Sequence, residues 1–324
     1  MSTLQFSVSP HVRSNNSTRR IMLDVCIALI PAIVMGIVYF GLPAFLTVLV
    51  SAVSALGAEV VYRICVGEKF KGIISSLDYS SLVTGLIIAL IIPANYHLYI
   101  PALASIFAII VCKMLFGGTG NNLVNPAAVG RIFAFISFTT IMNSFVLPKV
   151  GAINNNVITG ATSLQSYLND GTSLSALDLL LGTGVAGCIG ETCKLAILVG
   201  AIYLAIKKII KIWLPLISLL CAGVVAFLLN NFNLSAILPT ILGGGLIFGA
   251  FFMATDYVTN PTTTIGCIIF FACFGAITSL LRHFTGYETA SFAILIMNIL
   301  VPLIDKISMR KPFGYVKPCK KGGK

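Results

Sequence analysis

Asn154-Asn155-Asn156-Val157-Ile158-Thr159-Gly160-Ala161-Thr162-Ser163-Leu164 is a polar stretch set between two strongly apolar halves of the chain, and the fold reading works outward from it. Gly160 and Ala161 leave the Thr162 hydroxyl free of bulky neighbours, so it could enter another enzyme's active site as an acceptor. By composition alone the same stretch also reads as an Asn/Gly/Ser-rich turn joining two helices.

On either side of it, composition leaves one class. The 324 residues are 57% hydrophobic and 10% charged, with a mean hydropathy of +1.00. No soluble domain of this length has that balance, so a polytopic membrane protein is expected. The first 20 residues are polar and carry Arg13, Arg19 and Arg20. The apolar segment behind them runs straight into a second one with no small-residue cleavage site, so no cleaved signal is read.

A window that spans about 30 Å of hydrocarbon finds apolar stretches at 21–41, 44–66, 80–93, 98–116 and 126–147,. After the loop they recur at 193–209, 212–230, 237–256, 263–281 and 288–308. The expected fold is all-α, with ten transmembrane helices. Its parts are a cytoplasmic N-terminal segment (1–20), a first five-helix unit (21–147), an outer loop (148–192), a second five-helix unit (193–308) and a basic cytoplasmic tail (309–324). Ten spans put both termini on one side. Of the 21 Lys and Arg, all but Lys149, Lys194 and Arg282 fall on that side. Positive charge marks the cytoplasmic face, so both termini are expected there and the Thr162 loop outside. The net charge of +11 is thus a topology signal. It lies in short loops and a tail with no nucleic-acid-binding fold, and nucleic acid is not an expected partner.

An odd number of spans per half inverts the second half relative to the first. Leu82-Val83-Thr84-Gly85 echoes Leu246-Ile247-Phe248-Gly249, and Thr119-Gly120 echoes Thr285-Gly286. The short third span ends at Pro93 and has Gly243-Gly244-Gly245, at the start of the eighth, as counterpart. Two inverted five-helix repeats follow, an architecture that places a ligand or ion path at the repeat interface.

Polar residues at membrane depth are costly unless paired or facing water. Glu59 and Arg63 share a helix face and pair. Asp256 closes an apolar run where a helix end disfavours negative charge. With Thr255 and the carbonyls before Pro261 it is a candidate for a cation path, or else a solvated helix-end carboxylate. Asn125 caps and Pro126 opens the fifth span. Arg131 then reads either as an arginine snorkelling to the cytoplasm or as an anion-binding cation near a helix start. Arg282, His283 and Glu288 read as a contact in an outer loop, and Glu191 and Lys194 read likewise. Gly182 to Gly187 is a candidate half-helix. The nine cysteines include no C-x-x-C, and no iron–sulfur site is read in this chain alone,. Tyr39, Tyr96, Tyr99, Trp213, Tyr257 and Tyr287 fall at span ends, as interfacial belts do.

Thr159-Gly160-Ala161-Thr162 resembles the flavinylation motif of the flavin-carrying membrane subunits of Rnf complexes and of the sodium-translocating NADH:quinone reductase. Ser9-Pro10-His11-Val12-Arg13, Ile21-Met22-Leu23-Asp24-Val25, Asn125-Pro126-Ala127-Ala128-Val129-Gly130-Arg131, and Ala254-Thr255-Asp256-Tyr257 with Asn260-Pro261 resemble the same family, in order along nearly the whole chain. Ser163 stands where the family usually has Pro, and Asn154 to Asn156 stand where an acid is frequent. Length and a short N-terminal segment look most like the RnfD branch of that family.

The resemblance implies FMN joined through its phosphate to Thr162, within a site of Thr159, Gly160, Ala161 and Ser163. It also implies a second, non-covalent flavin or riboflavin between the helices, near Asn125 and Arg131. It further implies electron transfer between ferredoxin and NAD coupled to Na+ or H+ movement, with the other Rnf subunits and a flavin transferase as partners. No catalytic residue is assigned in this chain, and ferredoxin and NAD are expected to bind partner subunits. The corresponding flavin-carrying subunit of the quinone reductase, a secondary transporter or channel of similar inverted-repeat fold, and a purely structural subunit remain alternatives.

Overall fold

The computed structural model describes residues 17–94, 97–148, 175–182, 184 and 186–309. Among these the only β-type pairing is isolated bridges, and everything regular is helical. Helices α1 (Thr18–Phe40) and α2 (Leu42–Cys65) are long apolar rods. The Ser17 hydroxyl caps α1 by accepting the Arg20 N–H, and Gly41, at φ 68°, ends it where a side chain would be strained,. Pro43 then sits in the first turn of α2, where a missing N–H costs nothing,.

Two short helices, α3 (Phe70–Ser76) and α4 (Ser80–Leu90), precede α5 (Tyr99–Ile109), which runs on as a π-helical turn to Met114. After a polar loop come α6 (Pro126–Ser137) and α7 (Thr139–Met142), then α8 (Ala176–Leu181) and α9 (Lys194–Ile206). The chain continues through α10 (Trp213–Leu229), α11 (Ile237–Leu242), α12 (Leu246–Phe248, extended as a π-helix to Met253), α13 (Thr264–Thr285) and α14 (Ala290–Ser308).

By length and apolarity α1, α2, α13 and α14 can each cross a membrane. The segments Leu234–Leu242 and Leu246–Met253, bent by 60° at the Gly243–Gly245 break, make a fifth crossing if taken together. Their outward faces are rows of exposed apolar side chains, such as Ile27, Ile30, Val34 and Val38 on α1. Water would not tolerate so broad an apolar coat, which suits lipid.

The interior is packed through small residues. Ser51 on α2 bonds both Gly85 O on α4 and Ser105 on α5, each at 2.7 Å. On α10, Ser218's carbonyl lies where a Cβ on Gly275 of α13 would have to sit. Ala28's carbonyl on α1 meets Gly200 of α9 in the same way.

Two helices stop in the protein interior, and each stop leaves backbone groups needing partners. At the end of α4, Leu90 O and Ile92 O accept the N–H groups of Gly190 and Ile189 at 2.8 and 3.3 Å. The strand-like pairing extends to a Pro93–Cys188 bridge. Residues 186–188 therefore run extended rather than forming the half-helix expected over 182–187, because the free end of α4 needs hydrogen-bond donors. At the start of α12, Gly245 N–H is met by the Glu288 carboxylate at 3.1 Å. The eighth stretch also differs from expectation at its far end. Its helix stops at Met253, so Asp256 lies in the turn beyond it.

Candidate functional site

A cavity opens between the start of α1, α4, the Thr119–Ala127 loop and helix start, and the Phe251–Val258 segment. Its walls are mainly aliphatic and aromatic (Met22, Val83, Ile87, Leu204, Phe251, Phe252), while Thr84, Asn122, Asn125 and Asp256 bring polar groups to it. Asn125 is fixed at two points. Its Oδ1 accepts the N–H groups of Ala127 and Ala128, and its Nδ2 donates to Met253 O at 2.9 Å.

Lys113, on the π-helical end of α5, reaches the same cavity and is buried. Its Nζ donates to Ser80 Oγ at 2.5 Å and Ser81 Oγ at 2.7 Å and lies 3.5 Å from Glu59. Glu59 also pairs with Arg63, as its spacing predicts, and accepts from Ser81. A buried charge persists only with such partners. Asp78, in the turn before α4, accepts the Ser80 N–H and hydroxyl at 3.1 and 2.8 Å. Burial alone would raise its carboxyl; hydrogen bonds from Thr119 and Ser80, with the Lys113 charge nearby, outweigh that and hold it below its ordinary value,.

A second polar centre is enclosed where the two interior helix stops meet. Arg131 (5% exposed), Glu191 (2%), Lys194 (2%), Arg282 (1%) and Glu288 (7%) are all buried there. Arg131 Nη1 lies 3.5 Å from Glu191, and Arg282 Nη2 lies 2.8 Å from Glu288. Arg282 Nη1 also donates to Thr240 O at 2.8 Å, and Lys194 Nζ donates to Thr192 O at 3.4 Å. A Cβ on Gly244 would run into the Glu288 carboxylate, and one on Gly245 into Glu191. Glycine at the break is what lets both acids approach the backbone.

The profile of the NQR2, RnfD, RnfE family matches residues 5–314 of the 324. The chain belongs to that family. It is 37% identical to the D subunit of the Na+-translocating ferredoxin:NAD+ oxidoreductase complex of Acetobacterium woodii, over 97% of this chain and 96% of that one. It is 35% identical to the D subunit of the proton-translocating ferredoxin:NAD+ oxidoreductase complex of Clostridium ljungdahlii, over 95% of both chains. To the D subunit of the ion-translocating oxidoreductase complex of Escherichia coli O7:K1 it is 31% identical, over 95% of this chain and 98% of that one.

In this member of the NQR2, RnfD, RnfE family, Asn125 and Asp256 line the large cavity together. Arg131 does not join them. It neither snorkels to the surface nor faces that cavity, because α6 carries it some six residues inward to Glu191. Arg282, Glu288, Glu191 and Lys194 form no surface loop contact; all four are interior, drawn in by the helix stops they close. Thr159, Gly160, Ala161, Thr162 and Ser163 lie outside the described residues. Sequence reasoning missed Lys113, Thr84 and Asn122 at the cavity. The available signal was a lysine within an apolar stretch, Ile109-Ile110-Val111-Cys112-Lys113, facing Ser80-Ser81 at the start of another.

Proposed function

We propose that this chain is the D subunit of an ion-translocating ferredoxin:NAD+ oxidoreductase complex, acting in it as a membrane-embedded flavin carrier. The observation that carries the assignment is identity of 31–37% to subunits so named along nearly the full length of both chains. The relatives' names include both Na+ and H+ as the translocated ion. In this reading the chain is part of an oxidoreductase and translocase without housing a complete active site.

The ten-span, inverted-repeat arrangement has this support: four long helices, one bent pair and five shorter apolar helices coincide with the ten apolar stretches. Close crossings recur at related places too, Ser51 of α2 against α5 and Ser218 of α10 against α13. With that topology both termini are cytoplasmic, and the Thr162 loop faces outward with FMN on its hydroxyl.

The large cavity suits a second, non-covalent flavin. Its walls are mostly apolar, and it offers a few polar groups,. That donor set matches a flat, largely apolar ring system with a polar edge. Phe251 and Phe252 would enclose the ring, while Asn122 and Thr84 would supply polar contacts to its edge. A bound flavin supplies one- and two-electron redox chemistry, and the chain contributes position and electrostatics. Lys113 brings a positive charge, held by Glu59, where added electrons would be stabilised,.

The test is to express the chain with its partner subunits and flavin transferase, then look for flavin fluorescence that survives denaturation and for an FMN-sized adduct on the Thr162 peptide. Both are expected in the wild type and absent in Thr162→Ala. The Thr162→Ala complex should still release a non-covalent flavin, and Thr84→Leu, which fills the cavity, should lose that one. A wild-type chain without adduct in the presence of active transferase refutes covalent attachment.

A further inference from the structure

The flavin reading leaves the second polar centre without a role, and its charges do not balance. Arg131, Lys194 and Arg282 face two acids, Glu191 and Glu288. One positive charge is uncompensated in an interior where such a charge is expensive. Guanidinium groups do not give up a proton in proteins; an ammonium does. Lys194 is therefore the group through which the cluster can reach neutrality.

Geometry singles out the same residue. Arg282 and Arg131 each have a carboxylate within ion-pair distance, at 2.8 and 3.5 Å, whereas among the described residues Lys194 has none and donates to the Thr192 carbonyl at 3.4 Å. Both oxygens of Glu191 and Oε1 of Glu288 lack a hydrogen-bond partner among the described residues. Lys194, Glu191 and Glu288 line one small cavity, closed by Phe145, Thr192 and Gly244. A donor and orphan acceptors around one small gap are the setting in which a single water bridges.

We propose that Lys194, Glu191 and Glu288 form a proton-exchange site, with one water carrying the proton between ammonium and carboxylate. In the exchange an N–H bond of Lys194 breaks and an O–H bond forms on the water, which passes its own proton to a Glu191 oxygen. No electron moves. When that proton leaves the cluster, its net charge falls to zero. A metal cation is disfavoured here because it would add to the positive excess. The other groups facing the site are Arg131 from α6, Arg282 from α13, Cys188 beside both Arg131 and Glu191, and Cys193, which packs with Tyr39 of α1. The site goes beyond the flavin reading and does not depend on it.

The test is infrared difference spectroscopy on the whole purified complex, perfused alternately with neutral and alkaline buffer in H2O and D2O. The expected wild-type spectrum contains a carboxylic-acid band that shifts in D2O, disappears in Glu191→Gln and is displaced or lost in Lys194→Met. Spectra in which Glu191→Gln matches the wild type overturn the proposal. So does a response that follows replacement of chloride by gluconate instead of pH, which would make the centre an anion site. If Lys194→Met does not assemble, the wild-type and near-isosteric Glu191→Gln spectra still decide. Thr162→Ala complex should give the wild-type bands, so failure of flavin attachment and failure of proton exchange are separate results.

Discussion

Asn125 uses both ends of one amide: the oxygen caps α6 and the nitrogen holds the end of α12. Asn125→Asp keeps the cap and loses the donor, while Asn125→Ala loses both. The expected order of thermal stability in detergent is wild type, then Asp, then Ala, with about 1 kcal/mol attributable to the cap. Equal stability of the Asp and Ala variants would deny the cap its part. Glu59 is a harsher case, since it balances both Arg63 and Lys113. Breaking a buried pair costs about 3–5 kcal/mol, so Glu59→Gln should unfold at markedly lower temperature than the wild type. Asp78 adds a pH dependence whose sign is fixed. Its folded-state carboxyl is held below the ordinary value, so its stabilisation is present in full above the carboxylate range, near pH ~4, and is lost as pH falls through the folded-state value,. A melting series from neutral to acid should show Asp78→Asn less stable than wild type at neutral pH and the gap closing on the acid side.

Helices were legible wherever local chemistry decides them. Asn125-Pro126 announces a helix start and appears as read, while Gly243-Gly244-Gly245, read as opening the eighth span, instead bends it part-way along. What was not legible is whether a charge at the end of an apolar stretch leaves the protein or turns into it. Lys194 and Arg282 flank apolar runs just as surface charges do, and hydropathy counts only neighbours in sequence. Their burial follows from the stops of α4 and α12, whose backbone groups recruit 188–190 and Glu288 from distant segments. The same limit hid Lys113, whose partners Ser80, Ser81 and Glu59 all come from other helices. Packing of α10 on α13 gives a further test. A side chain at Gly275 must displace Ser218's backbone, so Gly275→Val should cost at least the ~1–3 kcal/mol of an overpacked core. Low yield of folded complex and a lowered melting temperature are the expected readings.

At the scale of the whole molecule, the distribution of Lys and Arg makes a prediction independent of any cofactor. Reporter fusions at residue 324 and in the 207–212 loop should both report the cytoplasm, and one placed in the 149–174 segment should report the outside,. A cytoplasmic signal from the last would invert the topology and remove the Thr162 loop from the outer face.

The pairing of Arg131 with Glu191 also has a consequence for how the protein is made. Lys113 and Glu59 both belong to the first half and can meet as soon as α5 has entered the bilayer. Arg131 cannot, because the acid it faces is synthesised only after the first half and the polar stretch behind it are complete. Chains emerge N-terminus first, so in the proposed ten-span topology α6 would hold an unmatched guanidinium at membrane depth until that acid is made. If α6 spans the bilayer, as proposed, chains truncated before residue 191 should hold it in the membrane less firmly than chains truncated beyond that residue,.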